Sequence, residues 1–261
     1  MIWNVDPILL SLGPLQIHWY GVLFATAILS GFQVMKWIYK QENRDVESLD
    51  SLLIYAVVGI IVGARLGHCF FYDPAYYLAN PMKIIAVWEG GLASHGGGLG
   101  AILAVFFYCK KDDVNFIWLL DRLAIATSIF GFFVRMANFI NSEIIGKPTG
   151  VPWAIVFEKY DFLPRHPVQV YEAIAYLSIF VFLLVMYRTT KIKEMAGALF
   201  GAFLCLVFTA RFSLEFVKIK QAAYSSDLAL NTGQLLSIPF FIAGVVLLVS
   251  AVVRYKRTQT V

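Results

Sequence analysis

Apolar residues run through this chain in long stretches, at 19–39, 51–72, 93–109, 115–134, 168–187, 195–217 and 233–253, with short polar segments between them. A helix needs about 20 such residues to cross the hydrocarbon core of a bilayer. The pattern therefore predicts about seven transmembrane helices. The third is the weakest, because His95, Gly96, Gly97, Gly98 and Gly100 stand at its start, where the backbone is expected to leave regular helix and line a cavity. One connection is long: residues 135–167, punctuated by Pro148, Pro152 and Pro164, and loops of that length are often functional. The expected architecture is all-α. It is a polytopic integral membrane helical bundle forming one domain over 1–261, with a small outer-face head inserted at 135–167.

Composition strengthens the membrane reading. Of 261 residues, 59% are apolar and 15% charged, against roughly 45 to 50% and 25% in soluble domains. The abundance of Phe, Tyr and Trp excludes a disordered chain, and three cysteines are too few for a disulfide scaffold. Cys69, Cys109 and Cys205 are widely spaced in apolar sequence with no Cys-x-x-Cys pair, so they read as small buried hydrophobes rather than metal ligands. Nothing in the pattern requires a metal or an organic cofactor. The net charge of +4 forms no basic face, which argues against nucleic acid as a partner. The first residues carry Asp6 and Pro7 in place of a basic leader, so they are expected to be retained rather than cleaved.

Lys and Arg in the gaps and at the ends of the spans set the orientation. Lys36, Lys40, Arg44, Lys110, Lys111, Arg188, Lys191, Lys193, Arg254, Lys256 and Arg257 fall on one side, and Lys83, Lys147, Lys159, Arg165, Lys218 and Lys220 on the other. The richer side is expected to be cytoplasmic, with the N-terminus outside and the C-terminus inside. The four remaining cations, Arg65, Arg122, Arg135 and Arg211, lie within or at the ends of apolar spans, as do Asp121, Glu172 and Glu215. A charge at a helix centre costs about 2.5 to 3.5 kcal/mol on insertion scales. Four uncompensated arginines would cost on the order of 10 kcal/mol, comparable with the stability of a domain. They must be paired, hydrated or bound to something.

For Arg65 and Arg122, snorkelling or an ion pair is as good an account as function. Arg135 and Arg211 have more suggestive surroundings. Asn138 follows Arg135 by three residues, on one helical face, and Glu215 follows Arg211 by four. A guanidinium keeps its charge when desolvated and offers a rigid fork of donors that suits a phosphate. Two such forks within a membrane point to a phospholipid head group. His95, ahead of three glycines, reads either as a hydrogen-bonded structural residue or as a base titrating near neutral pH. The run His95-Gly96-Gly97-Gly98 also matches a lipase oxyanion loop, but no Gly-x-Ser-x-Gly elbow accompanies it, which argues against a serine esterase. Gly59, Gly63 and Gly67, and likewise Gly197 and Gly201, recur at four-residue spacing, a pattern that lets membrane helices approach closely. Trp19, Phe71, Tyr72, Tyr76 and Tyr77 fit interfacial belts, with Tyr20 set apart from them.

Several segments together resemble the bacterial prolipoprotein diacylglyceryl transferase family. They are Gly13-Pro14 with Ile17-His18-Trp19-Tyr20-Gly21; Gly63-Ala64-Arg65-Leu66-Gly67; Gly90-Gly91 leading to Ser94-His95-Gly96-Gly97; the run from Arg135 to Gly146; His166-Pro167-Val168-Gln169-Val170-Tyr171-Glu172; Arg211 with Glu215-Phe216; and Gly233 to Pro239. The Arg135 run is the most specific. It is similar to the family's Gly-Arg-x-Gly-Asn-Phe-x-Asn-x-Glu-x-x-Gly pattern, with Val134 and Ala137 in place of its first two glycines. Val207 stands where many members carry a tyrosine, and Lys218 where an arginine is common.

The resemblance implies transfer of the diacylglyceryl group of phosphatidylglycerol to the lipobox cysteine in the signal peptide of a preprolipoprotein, in the bacterial inner membrane and among its lipids. It implies a thioether product and release of glycerol 1-phosphate. Carried onto this chain, it makes Arg135 and Arg211 the stabilisers of the leaving phosphate and His95 the base. Tyr20 and Asn138 would position the head group, and Arg65, Asn141, Glu143, Gly146, Gln169, Glu172 and Glu215 would shape the site. A lipid or solute transporter is the competing class, since buried cations also bind an anionic cargo. Against it stand the lack of an internal repeat and the long outer loop.

Overall fold

The computed structural model describes residues 1–219 and 230–259. Lys220, placed on the outer side above, lies outside the described residues. Helix dominates, and a helix falls on each of the seven apolar stretches: α1 (Trp19–Gln41), α2 (Ser48–Phe71), α5 (Ser94–Lys111), α6 (Phe116–Ile140), α7 (Val168–Thr189), α8 (Ala198–Leu214) and α9 (Thr232–Gln259). Two short helices, α3 (Pro74–Ala79) and α4 (Met82–Ile85), lie between α2 and α5. Five of the helices, α1, α2, α6, α7 and α9, are long and apolar enough to cross a membrane, so the chain is a multi-pass membrane protein. The count of seven is not reached on that criterion. At 17 residues α8 rises about 25 Å, short of the roughly 30 Å hydrocarbon core, and α5 opens on polar and glycine residues that dilute its apolar character.

The all-α expectation needs a second correction. Among the described residues there are five short strands: β1 (Ile2–Trp3), β2 (Ile8–Leu12), β3 (Leu15–His18), β4 (Ile155–Phe157) and β5 (Pro164–Arg165). β2 and β3 form an antiparallel hairpin turning at Gly13, while β1 runs parallel to β4, which pairs antiparallel with β5. Strands of two to five residues show too few positions for alternation to stand out. The partner of β1 is moreover about 150 residues away in sequence.

The chain divides into two compact units. The first comprises Met1–Met35 with Leu120–Val261, and the second Lys36–Leu119. In the first unit, the chain between α6 and α7 has its own small core. Phe139, Ile145, Ile155 and Phe157 are buried together with Trp3, Met136, Val170 and Ile219 packed against them. The Trp3 and Phe139 rings lie 4.2 Å apart. α6 also runs six residues beyond the apolar stretch that predicted it, so Arg135 and Asn138 are helical.

Elsewhere in this unit Asp121 is fully buried, and its carboxylate accepts the amides of Gly197 and Phe200, both at 2.8 Å. It thereby satisfies donors at the start of α8 that have no partner within the helix. Arg122 approaches the same carboxylate at 3.8 Å and donates to the Lys193 carbonyl at 3.1 Å, so this pair is structural. Gly197 and Gly201 divide their work. Gly197 takes φ of 93° as the cap of α8, while Gly201 packs α8 onto α9 at Gly244, whose carbonyl would lie 2.8 Å from a Cβ there.

In the second unit, the glycines around His95 stay in regular helix from Ser94 onward, contrary to the expected break. They face α2 instead. A Cβ on Gly63 would lie 2.4 Å from the Gly96 carbonyl, one on Gly59 2.6 Å from that of Gly100, and one on Gly67 2.8 Å from the Cα of Gly96. The two helices thus touch backbone to backbone, the arrangement that small residues at four-residue spacing permit. Gly63→Ala is expected to lower stability by about 1 to 3 kcal/mol through overpacking. Gly98→Ala, with nothing within 4 Å of its Cβ, is expected to lose none. Unfolding of both variants in detergent measures the difference, and equal stabilities would contradict this packing.

Candidate active site

The site begins with the packing of α6 on α7. Gly131 has no side chain because the Tyr176 ring occupies the place, 2.7 Å from where a Cβ would be. One turn along α6 from Gly131 is Arg135, and one turn back along α7 from Tyr176 is Glu172. The glycine contact therefore brings arginine and glutamate face to face, with Arg135 Nε 3.1 Å from Glu172 Oε2. That approach is ionic only, since Oε2 accepts no hydrogen bond. The other oxygen, Oε1, accepts a 2.6 Å hydrogen bond from Lys218 Nζ.

Arg211, with Val207, Ala210 and Leu214 of α8, closes a narrow crevice over Arg135, Glu172, Ala175, Tyr176 and Ile179. Its enclosed volume is about 10 Å³, room for roughly one water. Among the described residues, no hydrogen bond or ion pair engages the half-buried Arg211 guanidinium. Glu215, four residues after Arg211, lies 3.8 Å from Lys218 and against Gly233, where a Cβ would be 2.7 Å from its carboxyl carbon.

A polar chain leads away from Arg135. Its Nη1 donates to Asn138 Oδ1 at 3.4 Å, Asn138 donates to Glu143 Oε2 at 2.9 Å, and Asn141 donates to Glu143 Oε1 at 3.1 Å. Gln169, fully buried at the head of α7, donates to the Glu143 carbonyl. The backbone that carries Glu143 is held in an unfavourable shape: Ser142 and Ile144 have φ of 56° and 54°. A β-branched residue in that region is a genuine outlier, and such strain is typically kept where surrounding structure over-determines it. Tyr20 lies within electrostatic reach of both Glu143 and Arg135.

Gly146 ends the motif as a wedge. Its amide donates to the His166 carbonyl at 3.1 Å, and a Cβ would lie 2.5 Å from that oxygen. Arg165 donates to the Gly146 carbonyl at 3.1 Å and grips Asp161 through both Nε and Nη2.

The structure thus gathers Arg135, Asn138, Asn141, Glu143, Gly146, Gln169, Glu172, Arg211 and Glu215 in the first unit, with Tyr20 nearby. Arg65 and His95 belong to the second. His95 is exposed as the second residue of α5. Arg65 is buried and turned on one loop of its own unit, donating to the carbonyls of Lys83, Ile84, Gly90 and Gly91. Its surroundings are those of a loop anchor. Lys218 and Tyr176 were missed by the sequence reading. Lys218 stands three residues after Glu215, and that spacing was the available signal.

Similarity to known proteins narrows what this multi-pass helical protein is. Residues 7–250 match the family model described as prolipoprotein diacylglyceryl transferase. A protein of Tolumonas auensis named phosphatidylglycerol–prolipoprotein diacylglyceryl transferase is 55% identical over 249 residues, covering 95% of this chain and 96% of its own. Proteins of the same name from Chloroherpeton thalassium and Bacteroides fragilis are 46% and 44% identical, over 100% and 93% of this chain and 97% and 92% of theirs. The chain belongs to the prolipoprotein diacylglyceryl transferase family.

The Asp161–Arg165 clasp sets a pH dependence. The Arg165 guanidinium holds the Asp161 carboxyl below its usual range. A carboxyl lowered on folding stabilises fully above its unfolded value, about 3.9, and that stabilisation is lost as pH falls through the lower folded value. Proteolysis of the 141–167 loop by an acid-active protease is expected to rise below about pH 4, and Asp161→Asn is expected to be cut faster than the parent by a neutral-active protease at neutral pH. Equal cleavage of parent and variant at neutral pH would contradict the clasp.

Proposed function

We propose that this chain transfers the diacylglyceryl group of phosphatidylglycerol to the lipobox cysteine thiol of a preprolipoprotein, the first step of lipoprotein maturation. The carrying observation is the Arg211 guanidinium, half-buried in the crevice with no hydrogen bond or ion pair among the described residues, beside Arg135, whose forked end holds only a long hydrogen bond to Asn138. Such a pair lacks one anion, and a phosphodiester supplies it.

In the reaction the sulfur attacks the glyceryl carbon that bears the phosphate oxygen. A carbon–sulfur bond forms, the carbon–oxygen bond breaks, and the electron pair leaves on the phosphate of glycerol 1-phosphate. Charge grows on that phosphate in the transition state, so Arg135 and Arg211 stabilise it most where the barrier is highest. The thiol proton must also leave, because a free cysteine has a pKa of about 8.5. His95 is the base we assign, on its motif and its exposed imidazole. Asn138 and Tyr20 position the head group. Asn141, Glu143, Gly146 and Gln169 hold the loop that presents Asn138, and Glu215 sits behind Lys218. Arg65 acts at a remove, by fixing the loop before α5.

We assign the protein to the bacterial inner membrane with seven crossings, the N-terminus outside and the C-terminus in the cytoplasm. The Lys and Arg distribution supports that orientation, and an odd number of crossings requires opposite sides. The segment 135–167 is assigned to the outer face as a head, supported by its small sheet and the core beneath it.

Purified protein incubated with phosphatidylglycerol and a lipobox peptide is expected to add mass to the peptide cysteine, whereas a transporter would leave the peptide unchanged. Arg135→Lys and Arg211→Lys keep the charge but lose the fork. Each is expected to lose about 100-fold in rate, the scale of one lost transition-state donor, and full activity in both would refute the phosphate clamp. For His95→Gln, thioether formation is expected to fall across the pH range. An unchanged profile would remove His95 as the base.

A further inference from the structure

Glu172 is one carboxylate with two cations in reach, and the two contacts differ. Lys218 makes a 2.6 Å hydrogen bond to Oε1, whereas Arg135 Nε approaches Oε2 at 3.1 Å without a hydrogen bond. Lys218 is only 7% exposed and Glu172 5%, so neither charge can turn to water for compensation. The position of Lys218 is also built in. The chain on either side of it is fastened to the motif loop, since Lys147 N donates to the Val217 carbonyl at 2.8 Å and Gly146 bridges Lys218.

We propose that Lys218 is a positioning residue: by holding the Glu172 carboxylate, it keeps that carboxylate from closing on the forked end of Arg135, whose Nη1 makes only a long 3.4 Å hydrogen bond to Asn138, and so leaves the fork open to the phosphate of the lipid. This rests on the phosphate-clamp reading above and adds to it the group that decides what Arg135 binds. A buried carboxylate must be answered. Deprived of Lys218, Glu172 has Arg135 as its remaining close cation, and carboxylate and guanidinium close readily into a bidentate pair. That pair occupies the same donors the phosphate needs. The lysine therefore acts on lipid binding through Glu172 and Arg135, without touching the lipid itself. A lysine suits this role because its compact charge satisfies one oxygen and leaves the carboxylate plane open.

The test uses the full chain in detergent or vesicles, with phosphatidylglycerol and a lipobox peptide. Lys218→Met is expected to raise the KM for phosphatidylglycerol by at least about tenfold while kcat falls less, the signature of weakened substrate binding. Lys218→Arg is expected to recover most of that loss. The decisive variant adds Glu172→Gln to Lys218→Met. With the competing carboxylate gone, KM is expected to return toward the parent value, which a merely structural role for Lys218 does not predict.

An unchanged KM in Lys218→Met, or a double variant as impaired as the single one, overturns the proposal. If Lys218→Met does not fold, Lys218→Gln removes the charge while keeping a donor, and the same comparison with and without Glu172→Gln applies. Arg135→Lys, measured alongside, separates the two levels. Full activity there and in Arg211→Lys brings down the phosphate clamp itself, while lost activity there with a normal Lys218→Met brings down only the role of Lys218.

Discussion

A guanidinium carried into an apolar slab has to be answered by an anion or by carbonyl oxygens, and this chain answers its arginines in different ways. Arg65 is surrounded by the carbonyls of one loop. Arg122 sits beside Asp121, which is itself committed to the start of α8. Arg135 shares Glu172 with Lys218, and Arg211 has no answer among the described residues. The gradient from fully satisfied to unsatisfied is what singles out Arg135 and Arg211 for the proposed ligand. Desolvating a charge without a partner is expensive, so an unanswered one is the most informative residue in the molecule.

The rest of the site serves to keep that charge in place. Gly131 admits Tyr176 so that α6 and α7 pack closely enough for Arg135 to meet Glu172. The loop after α6 stores strain at Ser142 and Ile144 in order to bring Glu143 back against Asn138 and Asn141. Gln169, Arg165 and the His166 carbonyl tie that loop to the start of α7. The buried cluster of Phe139, Ile145, Ile155 and Phe157 supplies the apolar contact that makes the strained loop affordable.

Much of this was legible in the sequence where its signal is local. Long apolar runs located the helices, because a run of twenty is hard to read otherwise, and α1 starts at Trp19 as its stretch does. Charges inside those runs marked Arg135, Glu172 and Arg211 at once. What escaped depends on distant partners. β1 and β4 are each two or three residues long and meet across most of the chain. The glycines beside His95 carry the same letters whether they break a helix or pack one, and only α2 across from them decides that they pack. Lys218 looked like a loop cation, since nothing in its own segment reveals that Glu172 lies 2.6 Å away.

The central claim is that Arg135 and Arg211 together receive the phosphate of the lipid. A structure of the protein with phosphatidylglycerol bound tests it most directly. The account requires phosphate oxygens at about 2.9 Å from nitrogens of both guanidinium groups, with Glu172 still on Lys218. A head group seated elsewhere, with both arginines closed onto protein carboxylates, would contradict it.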